Sequence, residues 1–218
     1  MKKTIIFDYD DTLVKTRQSK WDALKETAKR YYNLDVDEEH IRQYWGRPFQ
    51  EMLTGTFKKV DSYENLQKHY FSVTNEFPMR AHADSVKTVN KLLKNYLVGI
   101  LTASNRKLVT DDLTMLGFPI KKFFYIQTAE DTNVHKPDPK VFDPILAKLN
   151  KYKIRRSNIF YIGDSIKDYL AARGAGLNFI GITHGTTTSK EFENEGIKYV
   201  NSLKGLPVAI KNTFTPGV

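Results

Sequence analysis

Residues 4–12 read Thr4-Ile5-Ile6-Phe7-Asp8-Tyr9-Asp10-Asp11-Thr12, a short apolar run that ends in three carboxylates. The run is too short for a typical helix and is rich in isoleucine and phenylalanine, so it predicts a buried strand over Thr4–Asp8. Aspartate is a poor strand former, and neighbouring carboxylates raise one another's pKa unless a cation lies among them. The stretch therefore predicts a strand whose carboxyl end binds a hard divalent cation through oxygen.

Further apolar runs predict four more buried strands and one short edge strand. They are Leu97–Ala103, Phe123–Thr128, Ile159–Gly163 and Asn178–Thr183, with Lys198–Val200 at the edge. Helical patterns lie between them at Ser85–Lys94, Lys107–Leu116 and Pro139–Asn150. Strands that alternate with helices predict a parallel sheet covered on both faces, and active sites of such sheets lie at the carboxyl ends of the strands.

Residues 15–80 interrupt this alternation because they show only helical patterns. Apolar residues recur there at helical spacing, namely Trp21, Leu24, Ala28 and Tyr31, then Ile41 and Tyr44, then Leu66, Tyr70 and Val73. We interpret the segment as an inserted helical cap domain and assign Trp21 and Tyr70 to packing. The predicted fold class is α/β, with a Rossmann-like parallel sheet as catalytic core (1–14 and 81–218) and a helical cap domain (15–80).

The composition is that of a folded globular chain, with 40% hydrophobic and 27% charged residues. The sequence contains no cysteine, which excludes disulfides, thiolate metal sites and a cysteine nucleophile. No apolar run approaches the ~20 residues that span a bilayer. We therefore expect a cytoplasmic protein, monomeric or homodimeric, that does not insert into a membrane.

The formal net charge of +9 favours anionic partners such as phosphorylated metabolites or nucleic acid. The basic residues are scattered, however, and the sequence shows neither zinc-finger spacing nor an RNA-binding aromatic signature. Solvated surface charge is therefore preferred over nucleic-acid binding, and a small phosphorylated metabolite is the expected partner.

A second carboxylate pair follows the predicted strand Ile159–Gly163. Asp164 and Asp168 lie four residues apart, so a helix would bring both to one side. As an alternative, Asp164 is a helix N-cap, but this leaves Asp168 unexplained.

Two weaker patterns follow other predicted strands. In Thr102-Ala103-Ser104-Asn105 a hydroxyl and the backbone amides could hold a phosphate oxygen. In His135-Lys136-Pro137-Asp138-Pro139 the prolines fix the backbone around a lysine. Each pattern is weak alone, because these residue types are common at strand ends and on surfaces.

Together and in this order, the four segments resemble the haloacid dehalogenase-like superfamily, and within it the capped phosphatase subgroup typified by phosphoglycolate phosphatase and beta-phosphoglucomutase. The matching residues are Asp8, Asp10 and Thr12 in the first motif, Thr102 in the second, Lys136 in the third, and Gly163, Asp164 and Asp168 in the fourth. Residues 180–185 are similar to the family's final core strand and loop. Asp11 departs from the glycine of many members and adds charge near the site.

The resemblance implies Mg²⁺-dependent hydrolysis of a small phosphomonoester. It implies that Asp8 is the nucleophile that forms an aspartyl-phosphate, and that Asp10 is the general acid and base. The implied metal ligands are Asp8, the Asp10 backbone carbonyl and Asp164, with Asp168 acting through water or orienting the ligands. The remaining implied roles are stabilisation of the transferring oxygens by Thr102 and Lys136 and substrate binding by Thr102, Ser104, Asn105, Lys136 and Arg47.

Arg47 is the expected specificity residue of the cap, in the segment Tyr44–Leu53. Gly46 and Pro48 would shape its turn, and Arg47 would face an anionic or hydroxylated leaving group. A plain surface turn between two cap helices is an equal alternative for this segment.

Several functions remain open. Phosphoglycolate phosphatase-like and nucleotidase-like activities fit equally, and a sugar-phosphate mutase would keep every core motif. A phosphonate hydrolase is disfavoured because no convincing cap lysine is present, and a dehalogenase because Asp10 is retained. A non-catalytic phosphate-ligand sensor, from a different class, would not need both a nucleophile and a paired acid.

Overall fold

The computed structural model describes residues 3–45, 47 and 49–214. The chain forms two compact units, one of Met1–Lys15 with Ala81–Val218 and the other of Thr16–Arg80. We call them the core unit and the helical unit. Within the described ranges, no helix is long and apolar enough to cross a membrane.

The core unit contains a six-stranded parallel sheet. Its strands are β1 (Thr4–Asp8), β2 (Leu97–Leu101), β3 (Ile126–Gln127), β4 (Ile159–Gly163), β5 (Asn178–Ile182) and β6 (Tyr199–Val200), in the order β3-β2-β1-β4-β5-β6. The central strand β1 is fully buried, as expected for an apolar run covered on both faces. Asp8 pairs with Leu101 on β2 and Phe7 pairs with Ile162 on β4, so three strands end together at one edge.

The helical unit consists of α1 (Thr16–Tyr32), α2 (Glu38–Tyr44), α3 (Phe49–Thr56) and α4 (Tyr63–Thr74). Its core contains Trp21, Leu24, Leu66 and Tyr70, which confirms that the two aromatic side chains pack inside this unit. Tyr31, which shares the helical spacing of Trp21, is exposed, and its ring stacks on the His69 ring with centroids 4.0 Å apart.

Over its described residues, the core unit has six α-helices: α5 (Ser85–Leu92), α6 (Arg106–Met115), α7 (Asp143–Leu149), α8 (Ile166–Gly174), α9 (Ser189–Asn194) and α10 (Leu206–Phe214). The sequence did not predict α9 or α10. The helix predicted at Pro139 instead starts with a 3₁₀ turn over Pro139–Phe142. Pro144 explains this, because its ring would clash with the carbonyl four residues earlier in a continuous α-helix.

The third strand is shorter than predicted. Thr128 leaves the sheet to form a capping box with Asp131 at the start of a 3₁₀ turn, which limits β3 to Ile126–Gln127.

The segment that leads from β1 toward the helical unit is hydrogen-bonded to the segment that follows the helical unit. Val14 pairs antiparallel with Ala81, and the His82 amide donates to the Leu13 carbonyl at 3.0 Å.

Candidate active site

Asp8 is the last residue of β1, and its side chain lies in an almost fully buried environment. Its carboxylate is buried and accepts a hydrogen bond at Oδ1 from Lys136 Nζ at 2.7 Å. Burial raises the pKa of Asp8 and the Lys136 charge lowers it, while three nearby aspartates raise it again. As a result, the pKa of Asp8 lies well above its usual value, so the site favours a compensating cation.

Lys136 reaches three oxygen atoms at once. Its ammonium lies 2.7 Å from Asp8 Oδ1, 2.6 Å from Asp168 Oδ1 and 3.1 Å from the Tyr161 hydroxyl. Burial alone would lower the pKa of Lys136, but the charges of Asp168 and Asp8 outweigh it and hold the pKa well above its usual value. Lys136 therefore remains a cation beside the Asp8 carboxylate.

Asp10 lies two residues further along and is held by hydroxyl groups. Its Oδ2 accepts from Thr102 Oγ1 at 3.0 Å and from Ser104 Oγ at 2.9 Å. The Ser104 amide also donates to Thr102 Oγ1 at 3.0 Å. Thr102 and Ser104 thus orient Asp10.

Asp164 follows β4 and is fixed by the loop after β5. Its Oδ2 accepts from the Thr186 amide at 2.6 Å and from the Thr186 hydroxyl. Gly185 permits this approach, because a Cβ at that position would lie 2.2 Å from Asp164 Oδ2. Burial, followed by the charge of Asp168, raises the pKa of Asp164 to about 6.

Asp168 lies in the first turn of α8, where Ser165 is the N-cap. Its Oδ2 accepts from the Ser165 amide at 3.0 Å and the Ser165 hydroxyl at 2.6 Å, which completes a capping box. The alternative that Asp164 is the N-cap is therefore wrong. Asp168 Oδ1 accepts from Lys136 and Tyr161. Both of its oxygens are thus engaged by the protein, so Asp168 anchors Lys136 to the start of α8.

Three buried carboxylates form a group suited to a metal ion. Oxygens of Asp8, Asp164 and Asp168 all lie within 4.8 Å of one another. The pKa values of Asp8 and Asp164 are raised by burial and by neighbouring acids, a repulsion that a divalent cation would relieve. An all-oxygen donor set of this kind fits a hard cation such as Mg²⁺.

Asp11 adopts the left-handed backbone conformation that favours glycine, with φ 54°. Its amide donates to the Val14 carbonyl at 2.8 Å, so the turn after β1 is tight. The buried Asp11 charge also contributes to the raised pKa of Asp164. The departure from glycine thus adds backbone strain and negative charge beside the carboxylate group.

Of the two other predicted substrate residues, Asn105 makes contacts with α6 and Glu130, and Arg47 belongs to the helical unit. Asn105 caps α6 by accepting from the Lys107 amide at 2.9 Å, and its side-chain amide donates to Glu130 at 2.6 Å. Arg47 is exposed in the helical unit, with its guanidinium 5.2 Å from the centre of the Tyr44 ring. Gly46 and Pro48, expected to shape its turn, lie outside the described residues.

Sequence reasoning missed the residues that hold the charged groups. Tyr161 was part of an apolar strand pattern, and nothing in the sequence indicated that its hydroxyl reaches Lys136. Ser165 and Thr186 were also missed. The Ser165-x-x-Asp168 spacing of a capping box was a usable pattern for the first, whereas Thr186 depends on a long-range approach of two loops.

The chain is similar in sequence to one family of known proteins and to several of their hydrolases. The model of the family described as haloacid dehalogenase-like hydrolase matches residues 5–182. A Clostridium perfringens protein named "putative pyrophosphatase PpaX" is 29% identical over 192 residues, covering 84% of this chain and 85% of that protein. A phosphoglycolate phosphatase of Yersinia pseudotuberculosis is 31% identical over 152 residues, covering 69% of this chain and 61% of that protein.

Among solved structures, a Thermotoga maritima protein named "putative beta-phosphoglucomutase" has the same fold. Its TM-score is 0.79 at 20% identity, and the match covers 97% of this chain and 99% of that chain. The predicted α/β fold class is therefore confirmed by both the parallel sheet and this similarity.

Proposed function

The chain belongs to the haloacid dehalogenase-like hydrolase family, and we propose that it hydrolyses a small phosphomonoester through an aspartyl-phosphate on Asp8. The observation that carries this proposal is the buried Asp8 carboxylate, whose Oδ1 accepts a hydrogen bond from Lys136 Nζ at 2.7 Å. Asp10, two residues later, accepts from the Thr102 hydroxyl. A simple anion-binding site would not place a carboxylate at its centre, because like charges repel.

In the first step, an Asp8 oxygen attacks phosphorus and the bond from phosphorus to the ester oxygen breaks. Asp10 donates a proton to the departing oxygen, so that an alcohol leaves. Lys136 offsets the negative charge of the transferring oxygens. With substrate bound, the single hydroxyl proton of Thr102 is donated to one of these oxygens in place of Asp10, and Ser104 then holds Asp10.

In the second step, water attacks the phosphorus of the aspartyl-phosphate. Asp10, now a carboxylate, accepts a proton from that water, and the bond from phosphorus to Asp8 breaks. The products are inorganic phosphate and the original enzyme. Ser104 supports both steps by orienting Asp10 through the hydrogen bond at 2.9 Å.

We propose that Asp8, the Asp10 backbone carbonyl and Asp164 hold Mg²⁺, with Asp168 acting through water or through its neighbours. A bound Mg²⁺ supplies positive charge that reduces repulsion between the anionic nucleophile and the anionic substrate. Thr186 fixes Oδ2 of Asp164, whereas among the described residues Oδ1 has only a weak 3.5 Å contact, from the Thr12 hydroxyl. That oxygen is therefore the better candidate for a ligand.

We further propose that the helical unit, Thr16–Arg80, is the cap domain expected at residues 15–80 and that Arg47 selects the substrate. Arg47 lies with Lys58 and Lys59 along a cleft of about 530 Å³ in this unit, where Glu51 is the acidic lining residue. The excess of positive charge suits a substrate that carries a second anionic group.

Inorganic pyrophosphate is a second candidate substrate, favoured by the name of the 29% identical Clostridium perfringens relative. The same core residues would serve, because cleavage again transfers a phosphoryl group to Asp8. The leaving group would be phosphate, which needs less help from an acid than an alcohol does. A mutase is a third candidate and would return the phosphoryl group to an organic product.

One screen tests these candidates together. The purified protein with Mg²⁺ is incubated with a generic aryl phosphate, phosphoglycolate, nucleoside monophosphates, sugar phosphates and pyrophosphate, and free phosphate is measured. Asp8→Asn serves as the matched inactive control. Release of phosphate that depends on Asp8 supports hydrolysis, isomerised sugar phosphate without release supports the mutase, and normal turnover by Asp8→Asn contradicts the proposal.

A further inference from the structure

The Tyr161 side chain links the hydrophobic core to the charged site. The residue lies on β4, where it pairs with Ile6 of β1 and Phe179 of β5, and it is fully buried. Its ring packs edge-on against Phe142, with centroids 4.8 Å apart and planes at 86°. The ring is thus fixed by a central strand and by core packing, while its hydroxyl lies among the polar groups.

The hydrogen-bond directions around this hydroxyl are determined by chemistry. An ammonium group has three protons and no acceptor, so Lys136 donates to Tyr161 at 3.1 Å as well as to Asp8 and Asp168. The phenol proton is therefore given to Asp168 Oδ1, which lies 3.2 Å away. Burial, followed by the charge of Asp168, raises the pKa of Tyr161 well above its usual value, so the phenol keeps this proton.

We propose that Tyr161 is a positioning residue for phosphoryl transfer, because its hydroxyl sets where the Lys136 ammonium lies between Asp8 and Asp168. This inference rests on the function proposed above. The ammonium is 5.7 Å from the centre of the tyrosine ring and 3.1 Å from its hydroxyl, so the contact is a hydrogen bond at the ring's polar end.

The need for a third contact follows from the flexibility of lysine. Its four-carbon stem leaves the ammonium free to shift between two carboxylates, which attract it with similar strength. A neutral oxygen on a rigid strand selects one position without competing for the charge. Without it, the ammonium is free to move toward Asp168, which already lies nearer at 2.6 Å, and away from the oxygens transferred to Asp8. A displacement of about 1 Å in a catalytic group can cost up to about a hundredfold in rate.

A purely structural role makes a different prediction. If the hydroxyl only satisfied Asp168 or stabilised β4, its removal would lower stability and would affect the rate equally whether or not Lys136 is present. If it acts through Lys136, its effect on the rate must vanish when Lys136 is removed. A double-mutant cycle on the full chain separates the two.

The cycle compares wild type, Tyr161→Phe, Lys136→Met and the double variant, with an aryl phosphate and saturating Mg²⁺. We expect Tyr161→Phe to lower kcat about tenfold, the effect of one hydrogen bond to a charged group, and to change KM less than about twofold. In the Lys136→Met background, the same substitution should change kcat less than about twofold. An equal loss in both backgrounds, or wild-type kcat for Tyr161→Phe, overturns the inference.

Tyr125→Phe is a matched control, because the Tyr125 hydroxyl donates to Asp131 Oδ1 at 2.7 Å outside the proposed catalytic machinery. It should lose stability without losing kcat. Orthovanadate gives a measurement that does not depend on the residual activity of Lys136→Met, since it resembles the transition state for phosphoryl transfer. Tyr161→Phe should bind orthovanadate about tenfold more weakly and inorganic phosphate almost as well as wild type.

Unchanged orthovanadate affinity would overturn the positioning role, and an equal loss for phosphate would assign the hydroxyl to ground-state binding instead. Normal turnover of Asp8→Asn is a separate outcome that contradicts the proposed function itself. The two failures are therefore distinguishable.

Discussion

The hydroxyl of Thr102 donates to Asp10 Oδ2 at 3.0 Å. The residue expected to hold the phosphate is thus also a partner of the residue expected to move the proton. Since Thr102 follows β2 and Asp10 follows β1, the pairing of these two strands sets the distance between them. We therefore propose that phosphate binding at Thr102 and proton transfer at Asp10 are coupled, because the one hydroxyl proton of Thr102 serves the two partners in turn.

The first prediction separates Asp8 from Asp10. Asp8→Asn should abolish the phosphoenzyme, because the amide is not a nucleophile. Asp10→Asn should slow turnover of alkyl phosphates by about a hundredfold to ten-thousandfold, with a smaller loss for an aryl phosphate that has a good leaving group. Acid-quenched labelling measures the phosphoenzyme, and label on a residue other than Asp8 would contradict the assignment.

The second prediction concerns the metal. Turnover should require Mg²⁺ and should fall in excess Ca²⁺, because Ca²⁺ accepts more ligands and a less regular geometry and would coordinate the second oxygen of Asp8 as well, which removes the nucleophile. Activity is measured after chelation and after return of each ion. Full turnover in excess chelator would rule out this role for the carboxylate group.

The third prediction tests the loop that fixes Asp164. Gly185→Ala adds a Cβ that would lie 2.2 Å from Asp164 Oδ2, and Thr186 leaves this carboxylate little freedom to move. Affinity for Mg²⁺ should weaken by about tenfold to a hundredfold, as for other groups that orient metal ligands. Calorimetric titration with Mg²⁺ measures this directly.

Gly205→Ala is the matched control for that experiment, because its added Cβ would meet only Val200 at 3.7 Å, an ordinary contact. It should leave Mg²⁺ affinity unchanged. Equal affinity in both variants would mean that the loop adapts and does not constrain Asp164.

The sheet was predictable from the sequence because its apolar runs are short, separate and followed by polar residues. Thr4–Asp8 and Ile159–Gly163 match the observed β1 and β4. The weaker edge elements were less predictable, since the length of β3 depends on a side-chain cap by Thr128 and not on apolar pattern. Long-range side-chain contacts left no local pattern, which is why the hydroxyls of Tyr161 and Thr186 were missed.

The fourth prediction concerns pH. Burial is the main factor that lowers the pKa of His184, whose Nε2 lies 3.1 Å from the Thr12 carbonyl and whose ring stacks on His82 at 3.6 Å. The unfolded chain binds a proton at this residue more readily than the folded chain, so the residue should reduce the free energy of unfolding as pH falls below about 6.5. One such group changes the free energy of unfolding by at most ~1.4 kcal/mol per pH unit. The change for His184 should be smaller, because its ring is only partly buried.

His184→Gln should therefore flatten the loss of stability between pH 7 and 5, measured by denaturant unfolding. Asp164 titrates in the same range with the opposite sign, because its pKa is raised to about 6, so only the difference from wild type reports on His184. His135→Gln, at an exposed histidine, is the control and should change nothing. An identical pH profile for His184→Gln and wild type would contradict the prediction.

The last prediction concerns selectivity. Arg47 is exposed and belongs to the helical unit, whereas the residues of the proposed chemistry belong to the core unit. It shares its cleft with two lysines. Its planar guanidinium can bind two oxygens of a carboxylate or phosphate at once. Arg47→Ala should lower kcat/KM for the true substrate by about tenfold to a hundredfold, equivalent to one charged hydrogen bond or two.

A small aryl phosphate has no second anionic group for Arg47 to bind, so the same variant should cleave it at nearly the wild-type rate. Lys58→Ala is the matched control for loss of one positive charge in the same cleft, because it lacks the planar pair of donors and should cost less. The measurement is kcat/KM for both substrates on wild type and both variants. Equal losses on the two substrates would indicate damage to the fold, and no loss on either would mean that Arg47 is only a surface residue of the turn and that specificity is determined elsewhere.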